Sequence, residues 1–403
     1  MRILLSTYFY LPHVGGLSTY VDTLKQGLEQ LGHEVDVFAH HPDMAHYYMS
    51  NNGRKLKKSL IEERVHGQLS AYYEQHMPHV EHWIRWRDIE RYCFEIAAAS
   101  FGLESYDLIH TQDIVSTRAL WRVKPKKTPL VATIHGCIAT EFLHNGEVTG
   151  KNTLAWKYAA AEELYGATSS HATMVPSRWL QQLMVSDFGI PNRHVRVMPY
   201  GIDVDAFMAR TQQPTEISAA EGTKVIVCPA RLVPVKGHKY LIDALARLKQ
   251  DRTDWVCWLL GNGPLKEELQ QQTQRLGLQE HVLFLGDRAD VPALLKKSDI
   301  FALASLQDNL PFSVMEAQLA GTPVVTAGAG GIPEMVQHGK TGFICLPGQS
   351  NALYRHLKRL LDNPGLRAQM SKQAQEWAME YWSMSRMMTE TMELYEEVTN
   401  QPS

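Results

Sequence analysis

At 403 residues the chain exceeds the ~250–300 at which a single core stops growing, so two globular domains are the default reading. Its 44% hydrophobic and 21% charged side chains exclude a disordered or collagenous chain. Forty Lys plus Arg against 43 Asp plus Glu leave a formal charge of −3, which excludes the global positive field that holds a nucleic-acid backbone.

The chain opens with MRILLSTYFY, one basic residue and a three-residue aliphatic run, which reads as a buried strand rather than a signal-peptide core. Short β-branched or aliphatic runs then alternate with longer segments of helical period, the pattern of βα units on a parallel sheet. A first series of strands is predicted at 2–7, 34–40, 107–111, 130–135, 172–177 and 195–201. Between the first two, Tyr20, Val21, Leu24, Leu28 and Leu31 recur at helical spacing and Gly32 supplies the stop. A long insertion at 41–105 interrupts the series and carries RKLKK, Tyr72, Tyr73, Trp83, Trp86 and several histidines. The most polar gap, 209–223, is the predicted linker. A second series follows at 224–230, 255–261, 282–286, 300–305 and 323–328. The last helix places Tyr381, Met384, Met388, Met392 and Tyr395 at steps of three or four, a packing stripe. Domains are therefore expected at 1–208 and 224–380, with 381–403 as a terminal helix.

Cys93, Cys137, Cys228, Cys257 and Cys345 are far apart and form no C-x-x-C pair, against a disulfide framework or structural zinc and for a reducing compartment. No apolar stretch approaches the ~18 residues that span a bilayer. The expectation is a cytoplasmic protein, with at most weak peripheral contact to a membrane surface.

The chemistry begins with two absences. GNGPLK at 261–266 and GAGGIP at 328–333 both fail the sixth place of G-x-G-x-x-G, and no G-x-x-x-x-G-K-[ST] occurs, so dinucleotide and P-loop readings fall. Phosphate-compatible features remain in the second half. CPARLVPVKG follows a strand and puts Arg231 and Lys236 five residues apart on one loop, at the sheet edge where such folds bind ligands. Taken alone, two loop cations are usually just solvated. SLQDNLPFSVMEAQLAGTPVV at 305–325 then starts a helix at Pro311 and ends it at Gly321 and Pro323, so free N–H groups at its start face the same edge. Asp308 precedes this helix and Glu316 lies within it, a spacing that suits hydroxyl recognition on ribose and a hexose. The plainer alternative is a helix-entry aspartate and a surface glutamate.

With PYGIDVDAF at 199–207, GGIPE at 330–334 and GG at 15–16, these stretches resemble the retaining GT-B glycosyltransferases of family 4, glycosyl transferases group 1. The similarity runs through almost the whole chain, strongest over about 195–350 and weak in the insertion. It implies an α/β fold of two facing Rossmann-like, doubly wound domains with a C-terminal helix crossing back to the first. It also implies hexose transfer from a nucleotide diphosphate sugar, a UDP-sugar by preference, to a hydroxyl acceptor with retention of configuration, in cell-surface glycan or glycoconjugate synthesis. By the same resemblance Arg231 and Lys236 bind the diphosphate, Glu316 the ribose, and Asp308 with Asn309, Leu310, Pro311 and Phe312 the donor sugar. Gly15, Gly16, Gly201 and Gly261 approach the donor, the backbone of Arg288 reads the base, and His135 lies near the sugar with His110 as a second contact. Asp308 stands where the family has Glu, which shortens the reach by one methylene and puts sugar choice in question. PYG replaces P-N-G with Gly201 intact, so little consequence is expected.

No cofactor and no metal are expected, since the cationic loop and the helix start already supply charge for the leaving diphosphate. The acceptor, lipid-linked or glycan, is not legible, and neither is the oligomeric state. For the insertion, helical packing with a solvated basic face is favoured over an acceptor lid or membrane contact. The rival readings are a nucleotide-sugar epimerase on the same architecture and a catalytically silent nucleotide-sugar-binding or coat protein.

Overall fold

The computed structural model describes residues 1–13, 15–50 and 53–400. The alternation of buried aliphatic runs with amphipathic segments produces two sheets in two units, Met1–Pro199 with Met387–Ser403, and Tyr200–Arg386.

The first unit runs β1 (Arg2–Tyr10), α1 (Gly16–Gln30), β2 (Glu34–His40), β3 (His46–Met49), β4 (Lys55–Lys57), α2 (Ser59–His76), α3 (His82–Phe101), β5 (Leu108–Thr111) and α4 (Ile114–Val123). It continues through β6 (Leu130–Thr133), α5 (Ile138–His144), α6 (Leu154–Thr168), β7 (Ala172–Val175), α7 (Arg178–Phe188) and β8 (Val195–Val197). Strand order is β4-β3-β2-β1-β5-β6-β7-β8, parallel except where β3 and β4 pair antiparallel at one edge. Chain order reverses direction between β1 and β5, which makes their carboxyl ends the switch point of this sheet. Ile3, Leu4 and Leu5 of the central β1 are wholly buried, as expected of a strand covered on both faces.

The insertion departs from the expected helical packing at its basic run. Lys55 to Lys57 form edge strand β4 with both lysines exposed, a charged edge that blocks further pairing, while Lys58 turns into the interior. Helix α3 then buries Ile89, Cys93, Phe94, Ala97 and Phe101 in one cluster with Phe38 and Tyr47. Asn51 and Asn52 of this insertion, and Gln401 to Ser403 of the terminal segment, lie outside the described residues.

The second unit contains α8 (Val204–Thr211), β9 (Lys224–Pro229), α9 (His238–Asp251), β10 (Trp255–Leu260), α10 (Lys266–Arg275), β11 (Val282–Gly286), α11 (Val291–Lys296), β12 (Ile300–Leu303) and α12 (Phe312–Leu319). After β13 (Val324–Ala327) and β14 (Gly342–Cys345) come α13 (Ser350–Asp362), α14 (Pro364–Tyr381) and α15 (Met384–Thr399). All six strands are parallel in the order β11-β10-β9-β12-β13-β14, so the switch point lies between β9 and β12.

The division falls between Pro199 and Tyr200, ahead of the expected 208. Tyr200 stacks on Phe312 with centroids 5.1 Å apart, and α8 packs against α11 and α12, so this stretch already belongs to the second unit and the predicted linker begins inside a helix. From Met387 onward α15 groups with the first unit, where Met388, Tyr395 and Val398 are buried. A Cβ on Gly27 would lie 2.5 Å from the Met388 sulfur, so a glycine there lets α15 lie against α1. All five cysteines are buried free thiols. Among the described residues no helix is long and apolar enough to cross a membrane.

Candidate active site

In the second unit, the loops that leave the carboxyl ends of β9, β10, β12 and β13 are locked together through their backbones. Leu306 donates its N–H to the Val235 carbonyl at 2.7 Å, and Gly331 donates to the Asp308 carbonyl at 3.1 Å. Two glycines make the approach possible. Gly237, at φ 66°, would place a Cβ 2.0 Å from the Ala304 carbonyl oxygen, and Gly330, at φ 59°, would place one 1.8 Å from that of Asp308. Neither position admits a side chain without moving backbone. Gly261 bonds to the Gly286 carbonyl at 2.7 Å, which ties the GNGP turn to the loop carrying Arg288.

On this frame Arg231 is exposed and its guanidinium enters no ion pair among the described residues. Lys236 behaves differently: its Nζ lies 2.6 Å from Oδ2 of Asp308, and the Ser305 hydroxyl donates to the same oxygen at 3.1 Å. Asp308 is thus engaged by the lysine before any sugar arrives. Asn309 is partly exposed, whereas Leu310, Pro311 and Phe312 are buried at the start of α12, whose first turn has no side-chain cap. Its uncapped N–H groups carry the positive end of the helix dipole. Glu316 is partly accessible and forms no hydrogen bond or ion pair among the described residues; burial pushes its carboxyl up to about 7, with Arg210 pulling the other way. Gly201 is buried beside Tyr200. The Arg288 side chain is held by both carboxylate oxygens of Asp290 at 2.8 and 2.7 Å, which leaves only its backbone available for a base. Among the described residues no three His, Cys, Asp or Glu side chains are grouped to hold a metal.

In the first unit Gly15 precedes α1 with extended backbone and accepts from Thr19, and Gly16 begins the helix exposed. His135 follows β6, bonds through Nε2 to the Gln112 carbonyl oxygen at 3.2 Å and packs edge-on to Tyr20. Burial lowers its pKa to about 3, so the ring is neutral at physiological pH. His110 cannot serve as the second sugar contact. It is fully buried, with Nδ1 2.6 Å from the Tyr395 hydroxyl and Nε2 2.7 Å from the Thr133 hydroxyl, so both ring nitrogens are consumed inside the unit.

Comparison with known proteins places these features. The family described as Glycosyltransferase Family 4 matches residues 14–206, and Glycosyl transferases group 1 matches residues 209–377. The chain is a family 4 glycosyltransferase of GT-B fold. Over 98% of its own length and 98% of the relative's, this glycosyltransferase is 25% identical to an uncharacterized glycosyltransferase of Methanocaldococcus jannaschii. It is 33% identical to a GDP-mannose-dependent α-(1-6)-phosphatidylinositol monomannoside mannosyltransferase of Mycolicibacterium smegmatis, over 51% of this chain and 57% of that one. Its fold matches the UDP-glucose complex of HepE from Anabaena with a TM-score of 0.71 at 22% identity, covering 98% of this chain and all of the other. Three parts of the glycosyltransferase site escape sequence reading: Ser305 on Asp308, Gly330 beneath the Asp308 carbonyl, and the Tyr200 stack on Phe312. Only the glycine-rich GGIPE run carries a signal that points to one of them.

Proposed function

We propose that this enzyme transfers a hexose from a UDP-sugar to a hydroxyl acceptor with retention of anomeric configuration and without a metal, in cell-surface glycan or glycoconjugate synthesis. One observation carries the reading: the exposed Arg231, the Asp308-held Lys236 and the uncapped start of α12 occur on one set of interlocked loops in the second unit. Backbone N–H groups and two cations there stabilise charge as it develops on a departing diphosphate. Lys236 is shared between Asp308 and the incoming phosphate, so Asp308 acts as a positioning residue for the lysine as well as a reader of the donor sugar. Glu316 accepts the ribose hydroxyls, and the backbone at Arg288 meets the base. His135, neutral by burial, hydrogen-bonds the sugar without acting as a cation. Gly15, Gly16, Gly201 and Gly261 give the donor room.

The UDP-glucose complex of HepE supports UDP as the nucleotide. The GDP-mannose dependence of the mycobacterial relative makes a GDP-mannose donor the second reading. Calorimetric competition decides between them: GDP binding tenfold or more tightly than UDP, about 1.4 kcal/mol, moves the assignment to the second. Turnover of a donor panel in EDTA should persist, and a strict Mg²⁺ or Mn²⁺ requirement removes the cation-only leaving-group model. The anomer of the first-formed product, read by NMR, tests retention. Nucleotide binding with no turnover of any donor identifies a silent binding protein.

A further inference from the structure

We propose that a cavity within the first unit, walled by the 41–105 insertion, binds the acceptor, and that the part bound there is an uncharged glycoside. The proposal rests on the hydroxyl-acceptor reading above and supplies the acceptor class which that reading leaves open.

The cavity measures about 360 Å³ and lies at the carboxyl ends of β1 and β2, beside the switch point of the sheet. That volume falls in the ~300–1,000 Å³ range of small-molecule sites. Four large apolar side chains surround it while staying open to solvent: Phe9 is 41% exposed, Tyr10 43%, Trp86 43% and Met44 48%. Apolar surface gathered at one concavity marks a binding site, and flat rings suit the C–H faces of a sugar. Met44 has φ 55°, and it is the one non-glycine residue with positive φ among those described. Backbone strain of this kind collects at ligand clamps. The loop is held there by Met44 N–H donating to the His41 carbonyl at 2.8 Å and by Asp43 accepting from Ala45 at 2.8 Å.

The floor is polar. Glu90 accepts from the Tyr8 hydroxyl at 3.1 Å and lies 3.8 Å from Lys58, which pairs with Glu62 at 3.1 Å. Lys58 and Glu90 are each 8% exposed, so this network is desolvated apart from the cavity. Two carboxylates against one lysine leave a net negative charge, which repels a phosphate or carboxylate on the ligand. A carboxylate has about four lone-pair directions, so Glu90 retains capacity for a ligand hydroxyl. Aromatic walls with a hydroxyl-accepting, anion-repelling floor therefore select a neutral sugar ring. The ring belongs either to a soluble glycan or to a glycolipid headgroup.

The test uses methyl hexosides, the corresponding hexose 6-phosphates, and the same hexosides displayed as glycolipids on neutral vesicles. Wild-type enzyme with donor should use the neutral glycosides at least tenfold better than the phosphates, and use of vesicles alone or of soluble glycosides identifies the source. Trp86→Ala should raise acceptor KM tenfold or more while donor KM stays within twofold, and Phe9→Ala should do the same if the first variant misfolds. Glu90→Gln should lower acceptor kcat/KM tenfold. Unchanged acceptor KM in a folded Trp86→Ala or Phe9→Ala variant, or a preference for the phosphates, overturns the proposal. Tryptophan fluorescence titrated with methyl hexosides in the absence of donor isolates the cavity from the transfer reaction. A saturable response that Trp86→Phe abolishes supports the site even if no donor is turned over, and no response overturns it even if donor turnover is seen.

Discussion

Glu316 carries a carboxyl that burial pushes up to about 7, and this one shift has two opposite consequences. As the acceptor of ribose hydroxyls it works as the carboxylate, so UDP affinity should fall towards tenfold per pH unit below about 7, and Glu316→Gln should weaken binding and flatten that profile. In the unliganded protein the folded state keeps a proton that the unfolded chain releases near 4.5, so this group's contribution to stability is lost as pH rises from 4.5 to about 7. Glu316→Gln should therefore raise the Tm at pH 8 while it weakens nucleotide binding; a lower Tm there would mean the carboxylate has a stabilising partner. Lys236 is the second decisive residue. Lys236→Ala removes a contact that strengthens as the diphosphate leaves and should cost roughly 10²–10³ in kcat/KM, about 2–4 kcal/mol, with the protein still folded. Single-turnover rates with UDP-sugar check it, and wild-type rates in the variant would take the lysine out of the reaction.

The elements that matter most are loops, because strand ends alone do not set the Asp308–Lys236 pair. The 2.6 Å contact depends on the 305–312 loop resting against 330–331, where Gly330 leaves no space for a Cβ. Gly330→Ala should displace the Asp308 backbone and lower kcat/KM more than tenfold. Gly339 is the internal control: it also has positive φ, 79°, but nothing lies within 4 Å of its missing Cβ. Gly339→Ala should cost only the left-handed strain, about 1 kcal/mol by urea unfolding, with activity retained. Equal losses of activity in both variants would show that the loop contact does not position the pair. The insertion teaches a related point. RKLKK has no helical period of its own, and it pairs as an edge strand because β3 offers it a free ladder.

For the whole molecule, stability should depend on pH through histidines folded in the neutral state. Burial lowers the pKa of His40, His110 and His135 to about 3 and of His238 to about 4, whereas it raises Glu163 and Glu316 to about 7. An imidazole with a depressed folded pKa binds its proton in the unfolded chain first, so its contribution is lost as pH falls below about 6.5. The two carboxyls act in the opposite sense between about 4.5 and 7. Four imidazoles outweigh two carboxyls, so Tm should climb from pH 5 to a maximum near 6–7 and ease slightly above it. Thermal melts across that range read the outcome, and a Tm that rises on acidification to pH 5 would contradict the assignment. Within the first unit, Tyr395→Phe should cost about 1–3 kcal/mol, because it leaves the buried Nδ1 of His110 without its partner.

Sequence by itself determined the alternating αβ plan, the family and most of the phosphate-facing loop, because period, glycine and proline placement and motif spacing are local properties of a chain. Arg231, Lys236, Pro311 and Glu316 were legible in that way. Tertiary structure alone decided what those residues touch. Lys236 meets Asp308 across 72 positions and His110 meets Tyr395 across 285, distances over which no periodicity carries information. The fate of His110 shows the difference plainly: its strand-end position is the same whether it faces a ligand or a tyrosine, and only the docking of α15 on the first unit makes it structural. Strand order likewise brings Phe9, Trp86 and Glu90 to one cavity, since an insertion's role depends on which sheet edge it covers rather than on its composition.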